Sequence, residues 1–278
     1  MNCSIGFINP QSYNILEKYD YNLLGSCITE KLDVTYYCSI KVEKDDLDVN
    51  YLKIFKYQKY KSIFKLISYL YSMITLYLYL IKVKHDIIHI QWFRLPFLEI
   101  PCLYLINKLV LGSKPLVYTA HNIYPHDSGS LFRWAHKFVY HVFDTVIVHD
   151  ETTKRKLEEL TRHNKIEVIH CGTFNLEPIN EVEVDVRSAI DRSSCGYVLV
   201  FGNAGYYKGS DILLEIWRQS GLDKLGVRLI IAGNGYDQFI NKSEIPESVT
   251  LISRFISESS LASLMTAVSS KKVEMSRW

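Results

Sequence analysis

The sequence offers a glycine-rich turn that ends in a lysine, YVLVFGNAGYYKG at residues 197–209. Gly202 and Gly205 follow a short apolar run, and glycines there would let the backbone pass close to a bound group. Lys208 and Gly209 then open a predicted helix, whose unpaired N–H groups and dipole favour an anion. A lysine adds a mobile positive charge that suits a phosphate. From these residues alone, an ordinary strand-to-helix turn with a solvated lysine stays open as the alternative.

A histidine follows a second apolar run, PLVYTAH at residues 115–121. If this run is a strand of an open parallel sheet, His121 lies at its carboxyl end, where such sheets bind ligands. A histidine that caps the strand by hydrogen bonding is the alternative. The six cysteines include no C-x-x-C spacing, and no acidic pair follows a predicted strand, so the sequence predicts no metal site. The acids at residues 45–48 are interpreted as a solvated loop.

Short apolar runs alternate with helix-like stretches along the chain, which is typical of parallel sheets covered by helices. The predicted strands are residues 4–8, 33–38, 87–91, 115–120, 145–149, 166–169, 197–201, 227–232 and 249–252. The predicted helices are residues 97–110, 130–143, 152–162, 211–219 and 257–268. Residues 177–194 read as a linker with a connecting helix. The chain is therefore predicted to form two domains, residues 1–184 and 185–278, of which the second is too short for a complete doubly wound sheet.

One apolar segment has basic flanks. Residues 66–81 carry no charge, and the stretch from Lys53 to Lys84 holds seven lysines and no acid. A bilayer span needs about 20 apolar residues, so a helix buried against the sheet is the first interpretation. An interfacial helix on an anionic membrane surface is the second, and a true span the third. The net charge of +2 gives no support for a nucleic-acid partner. The N-terminus lacks the pattern of a secretory signal, so we expect a cytoplasmic protein.

Several segments resemble one enzyme family. Residues 201–209 with the following SDILLEIW resemble the G-R-x-x-x-x-K-G-x-D-x-L-L-x-A segment of the retaining GT-B glycosyltransferases, glycosyltransferase family four. VRLIIAGNG at residues 227–235 and VTLISRFISESSLASL at residues 249–264 are similar to the next two segments of that family. PLVYTAHNIYPH at residues 115–126 is similar to its P-x-V-x-T-x-H-N-x-x-P-H loop. The resemblance implies a GT-B-like α/β fold with two Rossmann-like domains and parallel sheets.

The resemblance also implies which residues form the site. The donor positions are Lys208, Gly202 and Gly209 for the diphosphate, and Gly233, Arg254 and Phe255 for the region of the nucleotide base. The sugar-side positions are His121 beside the transferred sugar, as the catalytic residue, and His126 and His170 as further contacts to sugar or acceptor. Asn203 stands where the family commonly has an arginine on the diphosphate. No cofactor besides the nucleotide sugar, and no metal, is implied.

The expected activity is transfer of a hexose from a UDP- or GDP-sugar to a glycan or lipid-linked acceptor in surface polysaccharide biosynthesis, at the inner face of the cell membrane. The lysine-rich residues 53–84 are the expected membrane contact. The family's glutamate pair, E-x7-E, is expected after residue 267, and with the last residue at Trp278 we expect a truncated chain of weak or no activity. A non-catalytic nucleotide-sugar-binding module and a GT-B nucleotide-sugar epimerase remain as alternatives. A dinucleotide oxidoreductase would need G-x-G-x-x-G after the first strand, where the sequence has GFINPQS.

Overall fold

The computed structural model describes residues 3–13, 15–123, 139–161, 165–172, 182–193 and 195–270. Contacts divide the chain into two compact units, Met1–Thr173 and Phe174–Trp278. The sequence-based domain boundary at residue 184 stays a prediction. Each unit is built around its own parallel sheet, so the predicted α/β class with two parallel sheets is confirmed.

The first unit has a seven-stranded sheet in the order β3-β2-β1-β4-β5-β6-β7, and all neighbours pair in parallel. The strands are β1 (Ser4–Asn9), β2 (Asp33–Ser39), β3 (Asn50–Phe55), β4 (Ile87–Ile90), β5 (Leu116–Thr119), β6 (Thr145–Val148) and β7 (Ile166–Val168). The helices are α1 (Ile15–Thr29), α2 (Ser62–Val83), α3 (Pro96–Leu109) and α4 (Glu151–Thr161). The chain starts in the middle of the sheet and runs to one edge before it crosses to the other, which is the doubly wound arrangement.

Two apolar layers fill the space on the two faces of this sheet. Tyr69, Met73, Leu76 and Leu80 of α2 pack with Ile100 and Leu103 of α3 against one face. Leu24 of α1 packs with Phe7, Val34 and Tyr36 against the other. Right-handed crossovers explain the division, because α1 leads towards one edge of the sheet whereas α2 and α3 lead towards the opposite edge.

The second unit has a three-stranded parallel sheet in the order β10-β9-β8. Its strands are β8 (Tyr197–Phe201), β9 (Arg228–Ala232) and β10 (Val249–Ile252), and its helices are α5 (Val184–Asp191), α6 (Leu213–Ser220) and α7 (Glu258–Ser270). The apolar residues of α5 and α7 cover one face of the sheet, and Leu214 and Trp217 of α6 cover the other.

The sequence missed two elements, α1 and β3. The apolar residues of α1 do not keep to one narrow stripe, so the helical period is weak there. Strand β3 lies at the edge of the sheet in a lysine-rich stretch, and its burial is partial up to Phe55. The acids of the loop before β3 are exposed, as predicted, and Asp45 also accepts a hydrogen bond from Lys53 Nζ at 2.7 Å.

Candidate functional site

Side chains from three neighbouring strands of the first unit meet at one edge of its sheet. Gln91 follows β4, His121 lies two residues beyond β5, and His149 follows β6. His121 Nε2 lies 3.0 Å from Gln91 Oε1, and His121 Nδ1 lies 3.2 Å from His149 Nε2. The ring of Tyr19, from α1, packs edge-on against His121 and His149 with centroids 4.8 and 5.4 Å away. We name Tyr19, Gln91, His121 and His149 the histidine cluster.

A backbone carbonyl fixes one hydrogen in this cluster. His149 Nδ1 lies 2.9 Å from the carbonyl oxygen of Ile169, which can only accept, so His149 Nδ1 carries a hydrogen. Gln91 Oε1 can likewise only accept, so the contact of 3.0 Å with His121 Nε2 is a hydrogen bond when this nitrogen carries the hydrogen.

The cluster keeps His121 neutral. Burial disfavours its imidazolium form and, with a smaller contribution from His149, lowers the pKa of His121 to about 4. The Nε2 atom of His89 lies 2.8 Å from Thr119 Oγ1 and 3.1 Å from Gln91 Nε2. Burial, with a smaller contribution from His121, lowers the pKa of His89 to about 3. His121 is thus a hydrogen-bonding group at neutral pH and carries no charge.

Both ring nitrogens of His121 have partners within the cluster. The predicted contact of His121 with a transferred sugar therefore requires that a hydroxyl group replaces one of these partners or approaches the carbon edge of the ring. The indole of Trp92 lies 6.1 Å from the imidazole, centroid to centroid, and forms another wall beside it. His170 is exposed and donates from Nδ1 to the carbonyl oxygen of His149 at 3.1 Å, so it lies next to the cluster. His126 lies outside the described residues.

The sequence did not assign Gln91, His149 or Tyr19 to the site. Gln91 and His149 each occupy the first position after a strand, so a reading of every such position in a parallel sheet would have found them. Tyr19 has no comparable signal, because it comes from a helix that the sequence did not predict. Among the described residues, no three histidine, cysteine or acidic side chains converge to hold a metal ion.

The second unit brings three of the predicted donor residues together at the carboxyl edge of its sheet. Gly202 follows β8 and Gly233 follows β9, and their backbones are so close that a Cβ on Gly233 would lie 1.9 Å from the oxygen of Gly202. A Cβ on Gly202 would lie 2.8 Å from Lys208 Nζ, so the lysine ammonium lies over this glycine. We name Gly202, Gly233 and Lys208 the donor cradle.

The helix after the cradle begins later than the sequence indicated. Lys208 ends a 3-10 turn, Tyr206–Lys208, and α6 begins at Leu213. The physical reason is Gly209, whose φ of +65° is left-handed and cannot be continued as a right-handed helix. The predicted start of the helix directly after Lys208 is therefore wrong, whereas the predicted binding of an anion at this turn stays a prediction that rests on the lysine itself.

Besides Gly233, two residues are predicted near a nucleotide base, and their surroundings differ. Arg254 donates from Nη2 to Asp185 Oδ1 at 2.5 Å and from Nε to Asp185 Oδ2 at 3.2 Å. Its Nη1 also lies 3.6 Å from Glu183 Oε1, so the guanidinium is held at the start of α5. Phe255 is 70% exposed and follows directly on the chain. Of the two, the aromatic ring is the surface that a planar base can reach.

Comparisons with known proteins give the same fold. The family model described as Glycosyltransferase Family 4 matches residues 16–173, which is more than half of the chain. No curated protein matches significantly. HepE of Anabaena, in complex with UDP and glucose, is similar with a TM-score of 0.60 at 14% identity over 96% of this chain and 72% of that one. A glycosyltransferase from Rickettsia africae is similar with a TM-score of 0.60 at 15% identity, over 95% and 71% of the two chains.

An epimerase shares the fold too. A Listeria monocytogenes protein named for UDP-N-acetylglucosamine 2-epimerase activity has a TM-score of 0.53 at 11% identity, over 95% of this chain and 72% of that one. Identities this low show the fold alone. The predicted GT-B-like α/β fold with two Rossmann-like domains is confirmed by these structures.

Proposed function

Because the chain belongs to Glycosyltransferase Family 4, we propose that it transfers a hexose, with retention of anomeric configuration, from a UDP- or GDP-sugar to a glycan or lipid-linked acceptor. The reaction breaks the bond between the anomeric carbon and the diphosphate and forms one to an acceptor oxygen, whose proton leaves. We place this activity in surface polysaccharide biosynthesis at the cytoplasmic side of the membrane. The observation that carries the proposal is the donor cradle.

The cradle suits a diphosphate leaving group. Two backbone turns lie close together, and the ammonium of Lys208 lies over one of them. As the sugar leaves, negative charge grows on the diphosphate, and a positive charge beside it lowers the barrier. Lys208 is exposed, so its ammonium can move to the ligand. Phe255 is the proposed platform for the nucleotide base.

The histidine cluster suits the sugar side. Gln91 and His149 hold His121 in place, and its imidazole is neutral. His121 can therefore hydrogen-bond a sugar hydroxyl, and it does not attract an anion to the position of the sugar. His170 is exposed beside it and is proposed as a further sugar or acceptor contact. Uridine is the favoured nucleoside, because HepE of Anabaena was solved with UDP and glucose. A guanosine nucleotide stays within the proposal.

The epimerase alternative draws on the Listeria protein, which shares the fold and is named for acting on a UDP-sugar.

The test of the proposed function is to incubate the chain with UDP- and GDP-hexoses, with and without a membrane lipid extract, and to follow nucleoside diphosphate and the labelled sugar. We expect release that depends on the extract, label in the lipid fraction, and loss of both in His121→Ala. Conversion to an epimeric nucleotide sugar without an acceptor would refute transfer, and binding without any conversion would favour the binding module.

A further inference from the structure

The outward face of α2 is apolar, although it lies opposite the buried face. Tyr69, Met73, Leu76 and Leu80 point into the core of the first unit. About 180° around the helix lies a second row, Ile63, Ile67, Tyr71, Ile74 and Leu78, whose side chains are 58, 55, 73, 59 and 63% exposed. We name this row the α2 stripe. A soluble helix normally carries polar residues on the face away from the core, so an apolar row on that face indicates a further apolar contact.

The neighbouring helix continues this surface. Leu98, Leu105 and Leu109 of α3 are 46, 54 and 79% exposed. Helices α2 and α3 cover the same face of the sheet and bury residues in the same core. Their outward faces therefore both point away from the sheet, and together they form one broad apolar surface. Contiguous apolar patches of this kind mark a contact with another protein or with a membrane.

The charges around the surface are mostly positive, and the exposed acid Asp86 is paired with Lys114 at 3.7 Å. Residues 53–114 contain ten lysines and arginines and only two acids, Asp86 and Glu99. Glu99 is buried and accepts hydrogen bonds from the backbone N–H groups of Arg94 and Leu95, so it does not act on the surface. Lys59 and Lys61 are exposed just before α2, and Lys82 is exposed one turn beyond Leu78. The stripe thus has lysines at both ends.

We propose that the outward face of α2 and α3 docks flat on an anionic lipid bilayer. The apolar side chains would enter the boundary between headgroups and acyl chains, and the lysines would lie among the anionic headgroups. The stripe from Ile63 to Leu78 is about 22 Å long at 1.5 Å per residue, which suits a helix that lies in the plane of the membrane. This inference goes beyond the proposed function and does not depend on the donor site.

Length and composition alone would also permit α2 to cross a membrane. The packing argues for lying flat. Ser72 Oγ donates to the backbone oxygen of Ile54 in β3 at 2.9 Å, and the side chain of Tyr69 binds Glu99. A spanning α2 would lose these contacts and uncover the face of the sheet. The first interpretation of the sequence, a helix buried against the sheet, holds for one side of α2 only.

The test is flotation of the full chain with vesicles of phosphatidylcholine alone or mixed with phosphatidylglycerol. We expect binding to the anionic vesicles that weakens with salt and is lost in the double variant Ile67→Asp, Ile74→Asp. The matched control is Ile216→Asp, because Ile216 is 53% exposed on α6 of the other unit. It should bind as the unchanged chain does. Circular dichroism checks that each variant is folded.

A charge variant keeps the test independent of helix stability. Lys59→Gln, Lys61→Gln and Lys82→Gln together should weaken binding to anionic vesicles by roughly fivefold per lysine, whereas Lys224→Gln in the second unit should not. Equal binding to neutral vesicles would overturn the proposal. So would a homodimer that Ile74→Asp dissociates without any vesicle binding, because a second copy would then be the partner. Binding that resists alkaline carbonate would also overturn it, since that result indicates a span.

Discussion

Replacing Gly233 by alanine tests the geometry of the donor cradle. The new Cβ would lie 1.9 Å from the oxygen and 2.7 Å from the carbon of Gly202, and normal contact begins near 3.4 Å. Both atoms belong to the backbone, so no rotamer change relieves the overlap. The turn at Gly202 must move, and with it the hydrogen bonds from Gly202 N to Ala232 O at 3.0 Å and from Gly233 N to Ile252 O at 2.9 Å.

Gly235→Ala is the matched control. Gly235 also has a positive φ, +85°, but the nearest atom to its added Cβ is Ala204 Cβ at 3.8 Å. The control therefore carries a positive-φ strain of its own, about 1–2 kcal/mol, without the overlap. In Gly233→Ala, two strained or broken hydrogen bonds add about 1–3 kcal/mol each. We expect Gly233→Ala to lower the free energy of unfolding by about 2–6 kcal/mol more than Gly235→Ala.

The assay is urea unfolding followed by intrinsic tryptophan fluorescence, with Trp217 buried in the second unit as the local reporter. Binding of a nucleotide sugar is measured on both variants in the folded range. Gly233→Ala should weaken binding as well, because Lys208 lies over the turn that has to move. If the two variants lose the same stability, the close approach of the two turns is not as described and the reasoning fails.

Three further predictions concern the first unit. Burial raises the pKa of Asp20 to about 7 in the folded chain, so the folded chain holds this proton more tightly than the unfolded chain does. The contribution of Asp20 to the free energy of unfolding is therefore fully present below about pH 4 and is lost as the pH rises through 7. Asp20→Asn should therefore gain stability relative to the unchanged chain between pH 4 and 8, as urea midpoints will show; a constant difference would contradict this. His149→Phe removes the contribution by which His149 lowers the pKa of His121 and should raise that pKa above about 4 in an NMR titration, and an unchanged value would show that burial alone sets it. Glu99→Leu leaves the Tyr69 hydroxyl and two backbone N–H groups without their acceptor and should cost about 3 kcal/mol or more of unfolding free energy, whereas Glu99→Gln should cost less.

Most of the strands could be predicted from the sequence, because buried parallel strands appear as short apolar runs between polar turns. The runs at residues 197–201 and 249–252 match β8 and β10 in both bounds. Edge strand β3 could not be predicted in this way, since its side chains are mostly half-buried and include Lys53. The start of α6 could not be predicted either, because it depends on the left-handed φ of Gly209, and a glycine can adopt either sign of φ.

The candidate site was predicted in part for a similar reason. His121 and Lys208 were found because each stands at a recognisable position in a strand-and-turn pattern. The partners of His121 could not be found, because Gln91 and His149 come from other strands and meet it only through the order of the sheet. The salt bridge between Arg254 and Asp185 could not be predicted for the same reason, because the two residues are far apart in the chain.

The donor cradle is tested most directly by calorimetry of the full chain with UDP, GDP and their glucose and mannose conjugates. The matched pair is Lys208→Ala and Lys224→Ala, two exposed lysines of the second unit. The account predicts that one nucleotide binds in preference to the other. It also predicts that Lys208→Ala weakens that binding by about 1.5–3 kcal/mol, the usual contribution of a hydrogen bond to a charged group, while Lys224→Ala leaves it unchanged. Equal binding by the two variants, or no binding of any nucleotide sugar by the unchanged chain, would contradict the account.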